Sequence, residues 1–304
     1  MIAVVCHDAG GAQIVSSWIL HQDEPCCICV AGPAIEIFRN KLGEFENLEL
    51  GTALQKCDWV LCGTSWQSEL EINALKLAAS LGKNAVAFLD HWVCYRERFE
   101  RGTELTLPEE VWVNDVYAEK IAVDVFPGIK ILKKKNYYFE DLKTVLANNN
   151  LIIEGGVENK GKSVLYICEP LSVQALKQYG DEKYWGYTEQ EALEYFLLNR
   201  NVIDPGINKI ALRLHPAEGV GKYDDIIAAY SGLMETGGNK SLINEIIESD
   251  ILVGCESMAM VVGLLAGKRV VSCIPPGGKP SELPHIEIEN LQTLITKLST
   301  IKNV

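Results

Sequence analysis

Short β-branched apolar runs alternate with amphipathic stretches along the whole chain. The apolar runs predict strands over 2–6, 26–31, 58–62, 85–89, 111–114 and 129–132, and later over 163–168, 208–214, 250–254 and 269–274. Between them, apolar residues recur at helical spacing over 11–21, 67–81, 116–123, 189–199, 222–234, 241–248, 257–266 and 289–302. Alternating strands and helices of this kind imply an α/β fold with parallel sheets covered on both faces. Runs such as Ile2-Ala-Val-Val-Cys6, apolar at every position, suit strands buried on both sides rather than on one.

The pattern breaks near 134–162, where Lys133-Lys-Lys-Asn leads into a short helix candidate, Asn148-Asn-Asn and the glycine-bearing stretch Gly155–Gly161. Such residues bury little and are cheap to leave exposed, so the break reads as a linker. It predicts two domains, 1–150 and 163–304. The halves echo one another. Cys57-Asp-Trp-Val-Leu-Cys-Gly-Thr-Ser65 precedes a helix, Leu81-Gly-Lys and a strand, and Ser249-Asp-Ile-Leu-Val-Gly-Cys-Glu-Ser257 precedes a helix, Ala266-Gly-Lys and a strand. Two such units in corresponding places predict two Rossmann-like domains whose parallel sheets face a cleft.

Composition narrows the classes. The 304 residues carry 28 Lys and Arg against 41 Asp and Glu, a net charge of −13. Nucleic-acid wrapping needs a basic face to displace counterions, so no nucleic-acid partner is expected. No run approaches the ~20 apolar residues of a membrane span, and the start lacks a basic, apolar leader, so a cytoplasmic protein is expected. Ten cysteines lie mostly within strand-like runs and none stands at zinc spacing, which reads as buried free thiols in a reducing compartment.

Ligands of open α/β sheets bind beyond the carboxyl ends of the strands, so the polar residues just past each strand are the candidates. After the first strand stand His7-Asp8 and the glycines of a helix start; Asp8 serves either as a helix cap or as a group aimed at a ligand. Asp90-His91-Trp92 comes after the strand ending at Leu89, and a carboxylate beside a histidine can take the proton of an acceptor hydroxyl. Trp92 and Tyr95 either stack on a sugar or pack in the core, with Arg96 and Arg98 either functional or solvated. In the second half Arg213 and His215-Pro216 end one strand, and Glu256-Ser257 open the helix after another. A helix start with a serine hydroxyl can hold a phosphate, and the histidine can donate to it. Glu256 could accept from ribose, and the glycine loop around Gly277 could approach a base.

With these residues in view, the second half resembles the nucleotide-sugar domain of GT-B glycosyltransferases, in particular the bacterial sialyltransferases and related transferases that use CMP-activated nonulosonic or ulosonic acids. The likeness rests on His215-Pro216 and Ser257, over residues 163–280. It implies a metal-independent, cofactor-free transferase of polysaccharide biosynthesis. The nucleotide-sugar donor, CMP-linked in those families, would be held by Arg213, His215, Pro216, Glu256, Ser257 and Gly277. The catalytic groups would be Asp8, Asp90 and His91, acting on a glycan acceptor. The families' acidic-plus-glycine base motif is replaced here by His7-Asp8-Ala-Gly-Gly and Asp90-His91, so the base stays open between Asp8 and Asp90. A nucleotide-sugar 2-epimerase or hydrolase on the same scaffold, or a non-catalytic binding module, are the competing expectations.

Overall fold

The computed structural model describes residues 1–65, 68–153, 161–215, 217–219 and 221–301. Pro216 and residues 154–160 of the predicted linker therefore lie outside the described residues. The chain divides into two compact units, Met1–Asp141 and Leu142–Val304.

In the first unit the strands are β1 (Ile2–Cys6), β2 (Cys26–Val30), β3 (Trp59–Cys62), β4 (Ala85–Phe88), the short hairpin β5 (Glu100–Arg101) and β6 (Glu104–Leu105), then β7 (Glu110–Val113) and β8 (Lys130–Lys133). Six of them form one parallel sheet in the order β2-β1-β3-β4-β7-β8. Its helices are α1 (Ala9–Leu20), α2 (Ala34–Leu42), α3 (Leu50–Lys56), α4 (Leu70–Ser80) and α5 (Val116–Val125), and α6 (Tyr137–Ile153) runs across the division between the units. All five residues of β1 are buried, as its unbroken apolar run predicts. Each Ile or Val so placed contributes about 1.5–3 kcal/mol. Trp112 gathers the core, with Trp18 at 5.0 Å and Phe88 edge-on at 5.7 Å.

The second unit holds β9 (Lys162–Ile167), β10 (Ile207–Arg213), β11 (Met234–Thr236), β12 (Ile251–Gly254), β13 (Arg269–Ser272) and β14 (Glu289–Asn290), parallel throughout in the order β11-β10-β9-β12-β13-β14. Counted along its own chain this is 3-2-1-4-5-6, the Rossmann order. Its helices are α7 (Leu171–Tyr179), α8 (Glu189–Ile203), α9 (Asp224–Ala229), α10 (Leu242–Glu248), α11 (Met258–Leu265) and α12 (Leu291–Ile301). Thr188 and Glu191 close a capping box at the start of α8.

The fold is the expected α/β one, two Rossmann-like units with parallel sheets. Two readings of the pattern change. The helix expected over 222–234 stops at Ala229, and the chain turns through Gly232, at φ +85, into edge strand β11. Part of the presumed linker is the 17-residue helix α6. All ten cysteines are free thiols, seven of them buried, so they pack rather than cross-link.

Candidate functional site

In each sheet the strand order reverses beside its first strand, between β1 and β3 in one unit and between β9 and β12 in the other. A crevice at such a reversal is where open α/β sheets take ligands.

In the first unit, Asp8, Thr64 and Asp90 each stand two residues beyond the ends of the adjacent strands β1, β3 and β4. Asp8 occupies the N-cap position of α1, yet its side chain makes no capping bond to the helix. It instead accepts from His7 Nδ1 at 2.7 Å, which fixes the orientation of the imidazole ring. Asp8 and His7 keep about a fifth of their side chains exposed (22% and 21%), enough to meet a ligand. The His7 ring lies so close to Gly32 that a Cβ there would stand 2.5 Å from Nε2, and Gly32 has φ +55, so only glycine suits the position.

Asp90 is 9% exposed and Arg98 7%. Arg98 Nη1 donates to Asp90 Oδ1 at 2.6 Å and to Thr64 Oγ1 at 2.8 Å, and Thr64 donates in turn to Asp90 Oδ1 at 3.3 Å. The second Asp90 oxygen packs against Gly10, where any Cβ would overlap it. Under these residues lies Glu71, 4% exposed, whose Oε1 accepts the His7 N–H at 2.6 Å while Oε2 has no hydrogen-bond partner. Burial pushes its carboxyl up to about 7.

His91 sets its ring 5.7 Å from that of Trp92. Trp92 itself is buried, with Nε1 donating to Asp115 at 2.8 Å, and buried Tyr95 lies parallel to Phe126 at 6.3 Å. Of the two readings of these aromatics, core packing is the one observed. The loop turns back through Cys94, at φ 55, and the aromatics enter the core.

In the second unit, Glu169, His215 and Glu256 stand two residues beyond β9, β10 and β12, three adjacent strands. His215 is exposed. Its Nδ1 accepts the Ala217 N–H at 3.1 Å, so the ring proton is on Nε2, a donor. Partial burial holds its pKa below the usual histidine value and the ring neutral. The turn is pinned by Glu218, whose carboxylate accepts the His215 N–H at 2.9 Å, the Tyr223 hydroxyl at 2.6 Å and Lys222 Nζ at 3.0 Å. Lys222 also pairs with Glu189, which accepts from both the N–H and the hydroxyl of Ser172.

Ser257 caps α11 by accepting from the Ala259 N–H at 3.2 Å. The N–H groups of Cys255 and Glu256, just ahead of it, both donate to Glu169 Oε1, at 2.9 and 3.0 Å. A side chain of the protein thus holds an anion at the reversal point, and burial pushes its carboxyl up to about 7. Glu256 accepts from the Glu282 N–H at 3.0 Å and ties down the next loop. Gly277, at φ +87, packs its carbonyl on Gly186, and a Cβ on Gly278 would stand 2.6 Å from Tyr187. Arg213 turns to α10, pairing with Glu245 at 2.5 Å and the Lys240 carbonyl at 3.0 Å.

The structure thus gathers Asp8 and Asp90 around Gly10 and the β1, β3 and β4 ends, and gathers His215, Glu256 and Ser257 around the end of β9. It commits Arg213 to an ion pair within the fold. Glu71 and Glu218 were missed as contributors, and Arg98 stood only as one of two open readings. Glu71 had a legible signal, since with Leu75 and Ala78 it falls on the buried stripe of α4, where a charge is out of place. Among the described residues no cluster of three His, Cys, Asp or Glu side chains could hold a metal ion, and no helix is long and apolar enough to cross a membrane.

No protein-family model matches the sequence, and no curated protein matches it closely enough to count as a relative. Among solved structures, the UDP-GlcNAc 2-epimerase of Methanocaldococcus jannaschii superposes with a TM-score of 0.58 at 10% identity, over 98% of this chain and 91% of that one. An α/β-galactoside α-2,3-sialyltransferase from Photobacterium phosphoreum gives 0.45 at 9% identity, over 96% of this chain and 98% of its own. The E. coli heptosyltransferase WaaC gives 0.41 at 12% identity, over the whole of both chains. The likeness to the epimerase is one of fold, and it carries the assignment: the chain has two Rossmann-like domains of the GT-B type.

Proposed function

We propose that the protein is a nucleotide-sugar enzyme, a glycosyltransferase of polysaccharide biosynthesis, that seats the donor's phosphate on its second unit and activates an acceptor hydroxyl on its first. The observation that carries the reading is the pairing of His215 and Ser257 at the ends of β10 and β12, on either side of β9, in a sheet of Rossmann order. His215 Nε2–H is a neutral donor on a pinned turn, and the Ser257 hydroxyl stands at the positive end of α11. Both suit a phosphate diester. The donor of this reading is a CMP-linked acidic sugar of the sialic or Kdo kind, as the sequence resemblance implies, and Glu256 and the Gly277 loop frame its nucleoside.

Asp8 is the base of this reading. About a fifth of its side chain is exposed and it makes no capping bond to α1, whereas Asp90 is buried and its Oδ1 takes both Arg98 and Thr64. The acceptor hydroxyl gives its proton to Asp8 as its oxygen attacks the anomeric carbon. The bond from that carbon to the phosphate oxygen breaks, and the charge left on the phosphate is met by His215 and Ser257. Asp90 and Arg98 hold the floor of the site, and no step calls for a metal.

Asp8→Asn should lower transfer roughly 10²–10⁴-fold while nucleotide binding, read by thermal shift with CMP, CDP, UDP and GDP, stays at the wild-type value. Wild-type turnover in that variant would remove Asp8 from the role. The epimerase's fold supports a second reading, turnover of a nucleotide sugar alone. Product formed at full rate with no acceptor present would favour it.

A further inference from the structure

Glu169 sits where a Rossmann sheet of this order offers its anion seat. Its Oε1 takes the Cys255 and Glu256 N–H groups at 2.9 and 3.0 Å. A donor phosphate held by Ser257 and His215 arrives beside this carboxylate. Two anions cannot share the seat without a large repulsion, because little water reaches it to screen them.

We propose that Glu169 is a resident counterpart of the donor phosphate: it holds the seat as a carboxylate in the free protein and takes up a proton from solvent when the phosphate binds. The inference rests on the reading that the second unit seats the donor. Once protonated, the carboxyl group keeps an oxygen on the backbone N–H groups and turns an O–H toward the phosphate. Repulsion becomes a hydrogen bond. Well above pH 7, where the free carboxyl is ionised, one proton enters per ligand bound, and no covalent bond changes.

The other groups that face Glu169 are poorer sites for this proton. From the turn after β12 come Cys255 and Glu256, from the segment before α8 comes Tyr187, and beside it on its own strand end is Cys168. Burial drives Cys168 and Tyr187 upward, and the hydrogen bond with the Cys273 thiol together with burial drives Cys255 the same way, so all three stay neutral at ordinary pH. Glu256 is also raised by burial, but its carboxylate is bound to the Glu282 N–H in the neighbouring loop. Glu169 itself lies at about 7, where a proton is gained at little cost.

The test uses the full chain and two nontransferable probes, cytidine and uridine 5′-methylphosphate. Each carries a single phosphate diester that stays ionised through the neutral range. Affinity is measured by calorimetry between pH 6 and 8.5. For the wild type it should fall above about pH 7, approaching roughly tenfold per pH unit. At the alkaline end of this range the heat should also differ between phosphate and Tris buffers by nearly the amount one absorbed proton requires. Glu169→Gln should bind the same probe with no pH dependence and about tenfold or more tighter than wild type at pH 8.5, while Glu256→Gln should keep the wild-type slope. Wild-type binding that is flat with pH and equal in the two buffers overturns the inference and leaves the donor reading standing, whether or not the variants fold. A slope lost in Glu256→Gln instead overturns the assignment to Glu169. Failure of both probes to bind at any pH overturns the inference and the donor reading together.

Discussion

Arg98 and Asp90 meet at 2.6 Å with side chains 8% and 12% exposed. Such a pair is a weak source of net stability, but removing one partner leaves a charge with neither water nor counter-ion. Arg98→Met should therefore cost about 3–5 kcal/mol in urea unfolding, far more than loss of an exposed ion pair such as Lys76–Glu104. A loss below about 1 kcal/mol would mean that water reaches Asp90. At this scale the residues set directly after a strand were legible in the sequence: Asp8, Asp90, His215 and Ser257 all stand next to apolar runs. Arg98 was harder to place. It shares a polar stretch with Arg96, Glu97 and Glu100, and only the left-handed turn at Cys94, which no pattern announces, folds it inward. Glu218 was opaque for another reason, because its partners Tyr223 and Lys222 come from a turn whose form depends on tertiary contacts.

Among the elements, ten strands were legible as apolar runs, most clearly β1, β4 and β12, which are buried at every position and leave an unbroken hydrophobic signal, whereas β8 has no buried residue and shows only its central Ile131-Leu132 pair. The strands that escaped, β5, β6, β11 and β14, are two or three residues long and hold too few positions to show a period. The unread helices are short or start without a clear cap: α3 has seven residues including Gly51, and α2 and α7 begin after Pro33 and Pro170 with no side-chain cap. Packing also explains a glycine that helix propensity disfavours. A Cβ on Gly263 would stand 2.5 Å from Leu252 Cδ2 and 3.1 Å from Val270 Cγ2, both in the sheet beneath α11. Gly263→Ala should destabilise by about 1–3 kcal/mol through overpacking, despite the better propensity of alanine. Equal or higher stability in denaturant melts would show that α11 can lift off the sheet at no cost. Such a shift would also move Ser257, so nucleotide affinity should fall in the same variant.

For the whole molecule, the net charge of −13 makes internal placement of carboxylates decisive. Glu71 and Glu169 both lie near 7 in the folded chain, above the ordinary 4.5. The folded state therefore binds more protons than the unfolded state between about pH 4.5 and 7, and stability is lost as pH rises through that window. His215, depressed by burial, acts in the opposite sense around its own range, so the comparison is made with variants. Glu71→Gln should flatten the decline by about one proton's worth of slope in unfolding free energy against pH, and an unchanged slope would contradict the placement of Glu71. Two sheets of related order, each with polar residues beyond its central strands, were foreseen from the echo between the halves. The carboxylates that sit on backbone N–H groups at both reversal points were not, because nothing in a sequence tells whether a helix start awaits a ligand or is already satisfied. The donor seat at His215 is the central claim. Calorimetric titration of CMP into wild type and His215→Ala at pH 7 measures it, since the variant loses a hydrogen bond to a charged phosphate. Binding weaker by about 1.5–3 kcal/mol, roughly ten- to a hundredfold, is the predicted result; equal affinity in the two proteins would contradict it.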